Sequence, residues 1–146
     1  MNDPSATARE VWLLMSDLVL DHTRRREVSE ALGMSFGRVR AIRRLARRPM
    51  SMGEFAAAMG IDPPNATGIV DDLEAQGLVR RGPHPTDRRA KLVEATRKGK
   101  ELARRADAIL ATPPAGLSAL AADDLEALRR ILAGVASDGM SQADRD

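Results

Sequence analysis

The stretch that decides the fold is residues 62–92, DPPNATGIVDDLEAQGLVRRGPHPTDRRAKL, where a helical pattern passes into an extended one. Asp62 is a typical N-cap, and Pro63 suits the first helical position because its missing N–H needs no partner there. Gly77 marks the end of the helix. Four apolar residues follow the spacing of one buried helix face: Ala66, Ile69, Val70 and Leu73. The pattern predicts a helix with one apolar side and a polar outer side.

After this helix the sequence predicts a β-hairpin with a long loop. LVRRG at residues 78–82 and KLVEA at residues 91–95 are short strand candidates, and PHPTDRRA lies between them. Two prolines stiffen the loop, and the adjacent Arg88 and Arg89 stand at its tip. We expect Asp87 to orient a neighbouring guanidinium through a charge-assisted hydrogen bond.

Two helices upstream have clear start and stop signals. Ser35 is expected to cap a helix that ends at Pro49. Ser51 and Glu54 form an S-x-x-E capping box that opens a shorter helix, and Gly60 closes it. A short helix, a tight turn, a second helix and a hairpin, in that order, describe a winged helix-turn-helix. The predicted fold class is therefore mainly α with a small β-hairpin wing (α+β).

Charge is gathered into blocks, although the formal net charge is only +2. Residues 22–48 carry nine arginines against two glutamates, and residues 80–105 carry ten basic residues against three acidic ones. Clustering of this kind is expected of a protein that binds a polyanion, whereas solvated helix faces are the alternative explanation.

In the usual docking of such a fold, the second helix enters the major groove of DNA and its first turn faces the base edges. The wing arginines then reach the adjacent minor groove, whose negative potential is highest where A·T-rich DNA narrows it. The predicted DNA contacts are Ser35, Arg38, Ser51, Pro63, Pro64, Asn65, Thr67, Gly68, Arg81, Asp87, Arg88 and Arg89.

Some of these residues have a second interpretation. Ser35 and Ser51 stand at helix starts, where capping alone explains a serine as well as phosphate binding does. Arg81 is expected either to contact phosphate or to pair with Asp87. His84, in the wing, is interpreted as a residue that fills a turn.

The predicted recognition helix contains no Lys or Arg, so it cannot read guanine through a bidentate arginine. Asn65 is the expected adenine reader, and the methyl groups of Thr67 and Pro64 are expected to meet thymine methyls. Asp71 and Asp72 lie further along the helix and are expected to repel a deeply inserted groove. We therefore expect affinity to come mainly from the wing and the arginine-rich helix upstream, with DNA shape as a prominent readout.

The terminal helices predict a homodimer. A first helix, expected from near Ser5 to Leu32, is apolar on several sides and so needs more than one partner surface. A long helix stops at Pro113 and Pro114, and the last helix carries apolar residues at a coiled-coil spacing. Large apolar surfaces usually have a partner, although a monomer folding back on its own winged helix is the alternative. The residues predicted at the interface are Val11, Leu14, Leu18, Ile109, Leu125, Leu128, Leu132 and Val135.

With these motifs in place, the sequence resembles the MarR (multiple antibiotic resistance regulator) family of bacterial transcription factors. The resemblance rests on residues 62–81, on the wing RGPHPTDRRAKLVEAT at residues 81–96, and on the Thr-Arg-Lys-Gly start of the next helix at residues 96–99. It covers about residues 30–135, nearly the whole chain.

The resemblance implies a homodimer whose intertwined terminal helices present two winged helices to a pseudo-palindromic operator. Many members release DNA when a small ligand, often phenolic or anionic, binds between the dimerisation helices and the winged helix. Relatives are mostly repressors. The chain departs from them at Gly68, where relatives commonly carry a basic residue, and often at Asp72.

Four regions are expected along the chain. An N-terminal dimerisation helix occupies residues 1–33, and the DNA-binding winged helix occupies residues 34–96. C-terminal dimerisation helices follow at residues 97–137. Residues 138–146 are expected to form a disordered tail.

Other classes of function find little support in the sequence. The chain has no cysteine, and only His22 and His84 offer imidazole, so neither a metal site nor a cofactor is expected. No nucleophile stands with a plausible base, which disfavours an enzyme. No apolar stretch approaches the roughly 20 residues of a membrane span, so we expect a cytoplasmic protein without membrane contact. A winged helix that binds proteins without specific DNA binding is the alternative, because the helix from Pro63 is acidic outside.

Overall fold

The computed structural model describes residues 3–20 and 23–143, and these ranges contain eight helices and three strands. The elements are α1 Pro4–Leu20, α2 Thr23–Leu32, α3 Phe36–Arg47, β1 Met50–Ser51, α4 Met52–Met59, α5 Pro63–Ala75, β2 Val79–Pro83, β3 Lys91–Ala95, α6 Arg97–Leu110, α7 Ala115–Ser118 and α8 Ala122–Ala143. The predicted fold class, mainly helical with a small antiparallel sheet, is confirmed. Both α1 and α2 fall within the long first helix that the sequence predicted; residues 21 and 22, and with them His22, lie outside the described residues.

The helix-turn-helix is built on one apolar core that α3, α4, α5 and the sheet share. The residues at its centre are Ile42, Leu45, Phe55, Leu73 and Val93, each almost fully buried. These side chains come from the apolar helix faces and strand positions that the sequence pattern marks, so burial of apolar surface drives the assembly of these elements.

Local capping sets where α4 and α5 begin. The backbone N–H of Ser51 donates to Glu54 Oε2 at 2.9 Å, and the backbone N–H of Glu54 donates to Ser51 Oγ at 3.2 Å. The predicted capping box is therefore confirmed. Gly60 ends α4 with a positive φ of 67°, and Asp62 then caps α5 by accepting from the Asn65 N–H at 2.9 Å.

The predicted hairpin is confirmed, and a third strand joins it. The sheet has the order β1-β3-β2, with Arg81 of β2 and Met50 of β1 both paired with Val93 of the central strand. The sequence missed β1 because two residues are too short to show an alternating pattern. The pairing of β1 with β3 holds the backbone in place at the residues that directly precede α4.

Hydrogen bonds of Thr96, the N-cap of α6, hold this helix against the turn between α5 and the hairpin. The Thr96 side chain donates to the Gly77 carbonyl at 2.7 Å and accepts from the Gly99 N–H at 3.1 Å. The Thr96 N–H also donates to the Leu78 carbonyl at 3.0 Å. Gly99 is buried, and a Cβ there would stand 2.0 Å from the Leu78 carbonyl oxygen. Only glycine permits this approach of the helix to the turn.

The chain divides into two compact units after Ala111. This boundary differs from the predicted one at residue 96, because α6 packs against α2 and α3 through Ala106, which lies beside Val28 and Val39. Small residues on α6 bring it close to those helices, and this closeness is a tertiary feature that periodicity does not reveal.

The second unit contains α7 and α8. Helix α8 continues to Ala143, whereas the sequence predicted a disordered tail from residue 138. Residues 138–143 contain no proline that would stop the helix. Residues 144–146 of the predicted tail lie outside the described part of the chain. In the described ranges, the helices are all too short or too polar to cross a membrane.

Candidate nucleic-acid interface

The first turn of α5 presents an uncharged surface to solvent. Pro63, Pro64, Asn65, Thr67 and Gly68 are all exposed, because the apolar face of the helix points into the core. The side chain of Asn65 is already engaged, since its Nδ2 donates to Asp62 Oδ2 at 2.7 Å. To read adenine in the predicted way, the amide has to exchange this bond for one to the base.

The carboxylates further along α5 are all paired with arginine, which reduces the negative charge behind the predicted repulsion of DNA. Asp72 accepts from Arg38 of α3, whose Nη1 also donates to Ser35 Oγ at 3.1 Å. Asp71 and Glu74 both accept from Arg81 of β2. These pairs offset two of the three negative charges on the outer side of α5. Ser35 has the extended backbone of an N-cap, but its hydroxyl binds Arg38 and makes no capping hydrogen bond.

Arg81 belongs to the base of the wing and does not pair with Asp87 as proposed from the sequence. Its side chain is only 21% exposed, and its Nη2 lies 2.6 Å from Asp71 Oδ1. Partial burial on its own would lower the pKa of Arg81, but the hydrogen bonds to Asp71 and Glu74 outweigh it and raise the pKa. The guanidinium is therefore a fixed brace between β2 and α5.

The wing tip is held by side chains that bind its own backbone. His84 Nδ1 accepts from the N–H groups of Thr86 at 3.2 Å and Asp87 at 3.1 Å. Asp87 Oδ1 accepts from the Arg89 N–H at 2.9 Å, which corrects the expectation that Asp87 orients a guanidinium. Arg88 is exposed like Arg89, and neither guanidinium forms an ion pair with any carboxylate of the described ranges. Both charges are available to a phosphate.

Ser51 and Glu54 stand at the start of α4. The hydrogen bond from the Ser51 backbone is the main cause that lowers the pKa of Glu54, and it outweighs the opposing effect of desolvation. The charge of Arg48, whose Nη1 lies 3.7 Å from Glu54 Oε2, adds to the lowering, as does His84. The Ser51 hydroxyl is engaged by the cap, so its second interpretation, as a capping residue, has direct support.

A second concentration of positive charge lies on α3 and α6, and we call it the α3–α6 band. Its members are Arg40, Arg43, Arg44, Arg47, Arg97, Lys100 and Arg104. Two of them have carboxylate partners, since Arg43 pairs with Asp107 at 2.5 Å and Arg104 pairs with Glu101. The band borders a cavity of about 600 Å³ beside β2 and one of about 250 Å³ between the two helices. The sequence analysis counted these charges, but it did not recognise that Arg97, Lys100 and Arg104 share one face of α6. Their spacing of three and four residues indicates such a face.

The residues predicted for dimerisation fall into two groups. Val11, Leu14 and Leu18 of α1 are well exposed, and so are Trp12, Leu13 and Val19, which the prediction left out. In α8, Leu125, Leu132 and Val135 are exposed, while Leu128 is half-buried. Ile109 packs against the cluster of Val28, Val39 and Ala106 within its own unit. The exposed side chains of α1 and α8 are therefore the stronger candidates.

Comparison with known proteins agrees with the winged-helix geometry. A model of the MarR family matches residues 32–90. A curated Bacillus subtilis protein, the uncharacterized HTH-type transcriptional regulator YfiV, is 32% identical over 103 residues. The alignment covers 68% of this chain, and the chain spans 64% of the length of that relative.

Solved structures extend the similarity to the remaining helices. The crystal structure of RV1404 from Mycobacterium tuberculosis has a TM-score of 0.73 at 22% identity and covers 95% of this chain and 96% of its own, so it shows a shared fold. CouR from Rhodococcus jostii RHA1, bound to p-coumaroyl-CoA, has a TM-score of 0.56 at 29% identity, with 77% of this chain and 81% of CouR covered.

Proposed function

We propose that this chain, which belongs to the MarR family, regulates transcription by binding double-stranded DNA as a homodimer, and that it acts as a repressor at a pseudo-palindromic operator. The proposal depends mainly on the presence of two different exposed surfaces in one winged helix. The first turn of α5 is exposed and uncharged, and the wing tip offers Arg88 and Arg89, neither of which is ion-paired with a carboxylate of residues 3–20 or 23–143.

These two surfaces suit different parts of a duplex. The α5 turn can approach base edges because Arg38 and Arg81 are paired with the α5 carboxylates and offset two of their three charges. The wing-tip arginines can enter a minor groove or bind the phosphates beside it. Ser51, at the start of α4, adds a helix N-terminus near which a phosphate is stabilised.

The exposed apolar side chains of α1 and α8 support the homodimer. A two-fold dimer would place two recognition helices about 34 Å apart, which is one turn of DNA. In this arrangement the operator carries the same two-fold symmetry as the protein, so its half-sites are inverted copies.

The α3–α6 band supports an anionic effector. CouR binds an aromatic acyl-CoA, and phosphate groups of such a thioester need several cations, which Arg97, Lys100 and Arg47 of the band can provide. We propose that an aromatic acid, or its coenzyme A thioester, binds this chain and lowers its DNA affinity. A ligand does so by favouring the state whose recognition helices are wrongly spaced.

DNA binding is tested by selecting bound sequences from a random duplex pool and titrating the selected duplex at several salt concentrations. We expect binding that weakens steeply with salt, because each phosphate contact releases about one counterion. Arg89→Ala should weaken binding by about 1–3 kcal/mol without changing dimerisation. Arg129→Ala, which removes an exposed arginine of α8 outside the predicted DNA contacts, is the matched control.

Two outcomes would count against this proposal. Unchanged affinity of the Arg89→Ala protein would remove the wing as a DNA anchor. If no duplex in the pool showed salt-sensitive binding, the alternative of a winged helix that binds proteins would be favoured.

The effector is tested by calorimetry with p-coumaroyl-CoA, p-coumaric acid and coenzyme A, each with and without the selected duplex. We expect heat of binding and release of DNA with the acid or the thioester. Coenzyme A alone separates recognition of phosphates from recognition of the aromatic group. Absence of heat, together with unchanged DNA affinity for all three compounds, would contradict the effector proposal.

A further inference from the structure

The carboxylate of Asp72 and the guanidinium of Arg38 form an ion pair on the DNA-facing side of the recognition helix. We infer that Asp72 masks Arg38: it holds this guanidinium in the free protein and lowers the affinity for non-specific DNA, and in the specific complex Arg38 is transferred to a phosphate. This inference rests on the proposed DNA-binding function. It makes Asp72 a residue that limits DNA affinity.

The position of Asp72 on α5 places the ion pair beside the base-reading surface. Asp72 follows Asn65 by seven residues, nearly two helical turns, so the two side chains lie on the same side of α5 and about 10 Å apart along its axis. Gly68 stands between them on this side. Asp71 is rotated from Asp72 by about 100° and faces the wing base instead. A bare carboxylate at Asp72 would face the duplex, and Arg38 cancels its charge.

The pair is accessible enough to exchange partners. The side chains of Arg38 and Asp72 are 36% and 48% exposed, so water and an incoming phosphate can reach both. Among the described residues, Arg38 is bound to the carboxylate of Asp72 and the hydroxyl of Ser35. Exposed ion pairs add little stability because solvent screens them and two long side chains lose freedom. A phosphate can therefore replace Asp72 without disturbing the fold.

The ion pairs of Arg81 provide the contrast. Arg81 binds two carboxylates, Asp71 and Glu74, and its side chain is only 21% exposed. It also belongs to β2, where Arg81 pairs with Val93 of the central strand. Removing one of the two acids leaves Arg81 held by the other. Arg81 therefore stays in place on DNA binding, whereas Arg38 is releasable.

Masking has a direct consequence for DNA affinity. A non-specific complex forms mainly through phosphate contacts, so a masked arginine lowers its affinity. In the specific complex, contacts along α5 and the wing fix the register, and Arg38 is already on a phosphate. Loss of the mask therefore adds a phosphate contact to the non-specific complex, whereas in the specific complex it removes the cost of breaking the Arg38–Asp72 ion pair without adding a contact.

The test uses Asp72→Asn, which keeps the shape of the side chain and removes its charge. Affinity of the full-length protein is measured at several salt concentrations for the selected duplex and for one of unrelated sequence. With the unrelated duplex, we expect the variant to bind about tenfold more tightly near 0.1 M salt, and its log–log salt slope to steepen by about one. With the selected duplex, the salt slope should stay as in the wild type, because Arg38 already contacts a phosphate there.

Two controls separate masking from a general change in charge. Asp71→Asn removes the same charge while Glu74 still holds Arg81, so the salt slope should stay as in the wild type. In an Arg38→Ala background, Asp72→Asn should leave the slope unchanged, because there is no arginine to release. Thermal unfolding of each variant verifies that the fold is retained.

The inference is overturned if Asp72→Asn behaves like Asp71→Asn, or if its effect persists without Arg38. Either result would show only a long-range charge effect. Failure of the underlying function would look different, because the wild-type protein itself would then show no salt-sensitive binding to any duplex; the masking inference would fall with it.

Discussion

At the scale of single residues, the predictable contacts are those between near neighbours in the chain. The Ser51–Glu54 capping box follows from an S-x-x-E spacing, and the geometry confirms it. The partner of Arg38 is 34 positions away, so only the packing of α3 against α5 brings Asp72 to it. The sequence therefore placed Arg38 and Asp72 on the correct helices, but it did not indicate that the two side chains form an ion pair.

The capping box should make stability depend on acid pH. The Glu54 pKa is lowered on folding, so the carboxylate stabilises the native state fully above its unfolded pKa, about 4.3. This stabilisation is lost as the pH falls through the lower pKa of the folded state. We expect wild type to have a higher Tm than Glu54→Gln above about pH 5, and the difference to shrink toward pH 3.

Thermal unfolding of both proteins between these pH values provides the measurement. Glutamine can still complete the capping box, so the comparison isolates the charge. Glu30→Gln removes an exposed carboxylate of α2 and controls for net charge. A Tm difference between wild type and Glu54→Gln that did not vary with pH would contradict the prediction.

At the scale of elements, boundaries were predictable wherever a residue type enforces them. Pro63 and Gly60 mark the ends of α5 and α4, and the two wing strands fall within one residue of their predicted positions. The pairing of β1 and the packing of α6 against α3 were not predictable, because each depends on partners distant in sequence. Gly99 is the clearest example, because a side chain is excluded there by the Leu78 carbonyl, 21 positions earlier in the chain.

Gly99→Ala should destabilise the first unit. A Cβ at this position would also stand 2.9 Å from Ile42 Cδ1, so the helix must move away from the core. Overpacking of this kind costs about 1–3 kcal/mol, measured as the change in free energy of unfolding by urea. Gly53→Ala is the matched control, because nothing lies within 4 Å of a Cβ there and alanine favours a helix. Equal stability of the Gly99→Ala protein and the wild type would refute the prediction.

At the scale of the whole molecule, the spacing of apolar residues predicted terminal helices with more apolar surface than a winged helix can cover, and α1 exposes such residues. Leu14 is 60% exposed and its neighbours Val11 and Leu18 are similarly open. The pattern of apolar residues indicated this surplus, but it could not divide the α6 and α8 residues between core and interface. Ile109 was predicted with the interface, and it lies against the core of its own unit.

Leu14→Glu should convert the proposed dimer into a monomer, because it places a charge in an apolar contact surface. Sedimentation equilibrium measures the change, and affinity for the selected duplex should fall with it. Arg9→Glu, about 140° around α1 from Leu14, adds a negative charge on the far side and is expected to leave the dimer intact. A Leu14→Glu protein that remained dimeric would remove α1 from the proposed interface.

The hydrogen bonds that His84 and Asp87 make to the wing backbone should affect how fast the proposed dimer finds its operator. A tip whose turn is already formed loses little conformational freedom when it enters a groove, so each encounter can engage without waiting for a loop to order. In the proposed complex, the hairpin can therefore contact successive grooves while the protein diffuses along a duplex. Stable binding at the operator then depends on the contacts of α5.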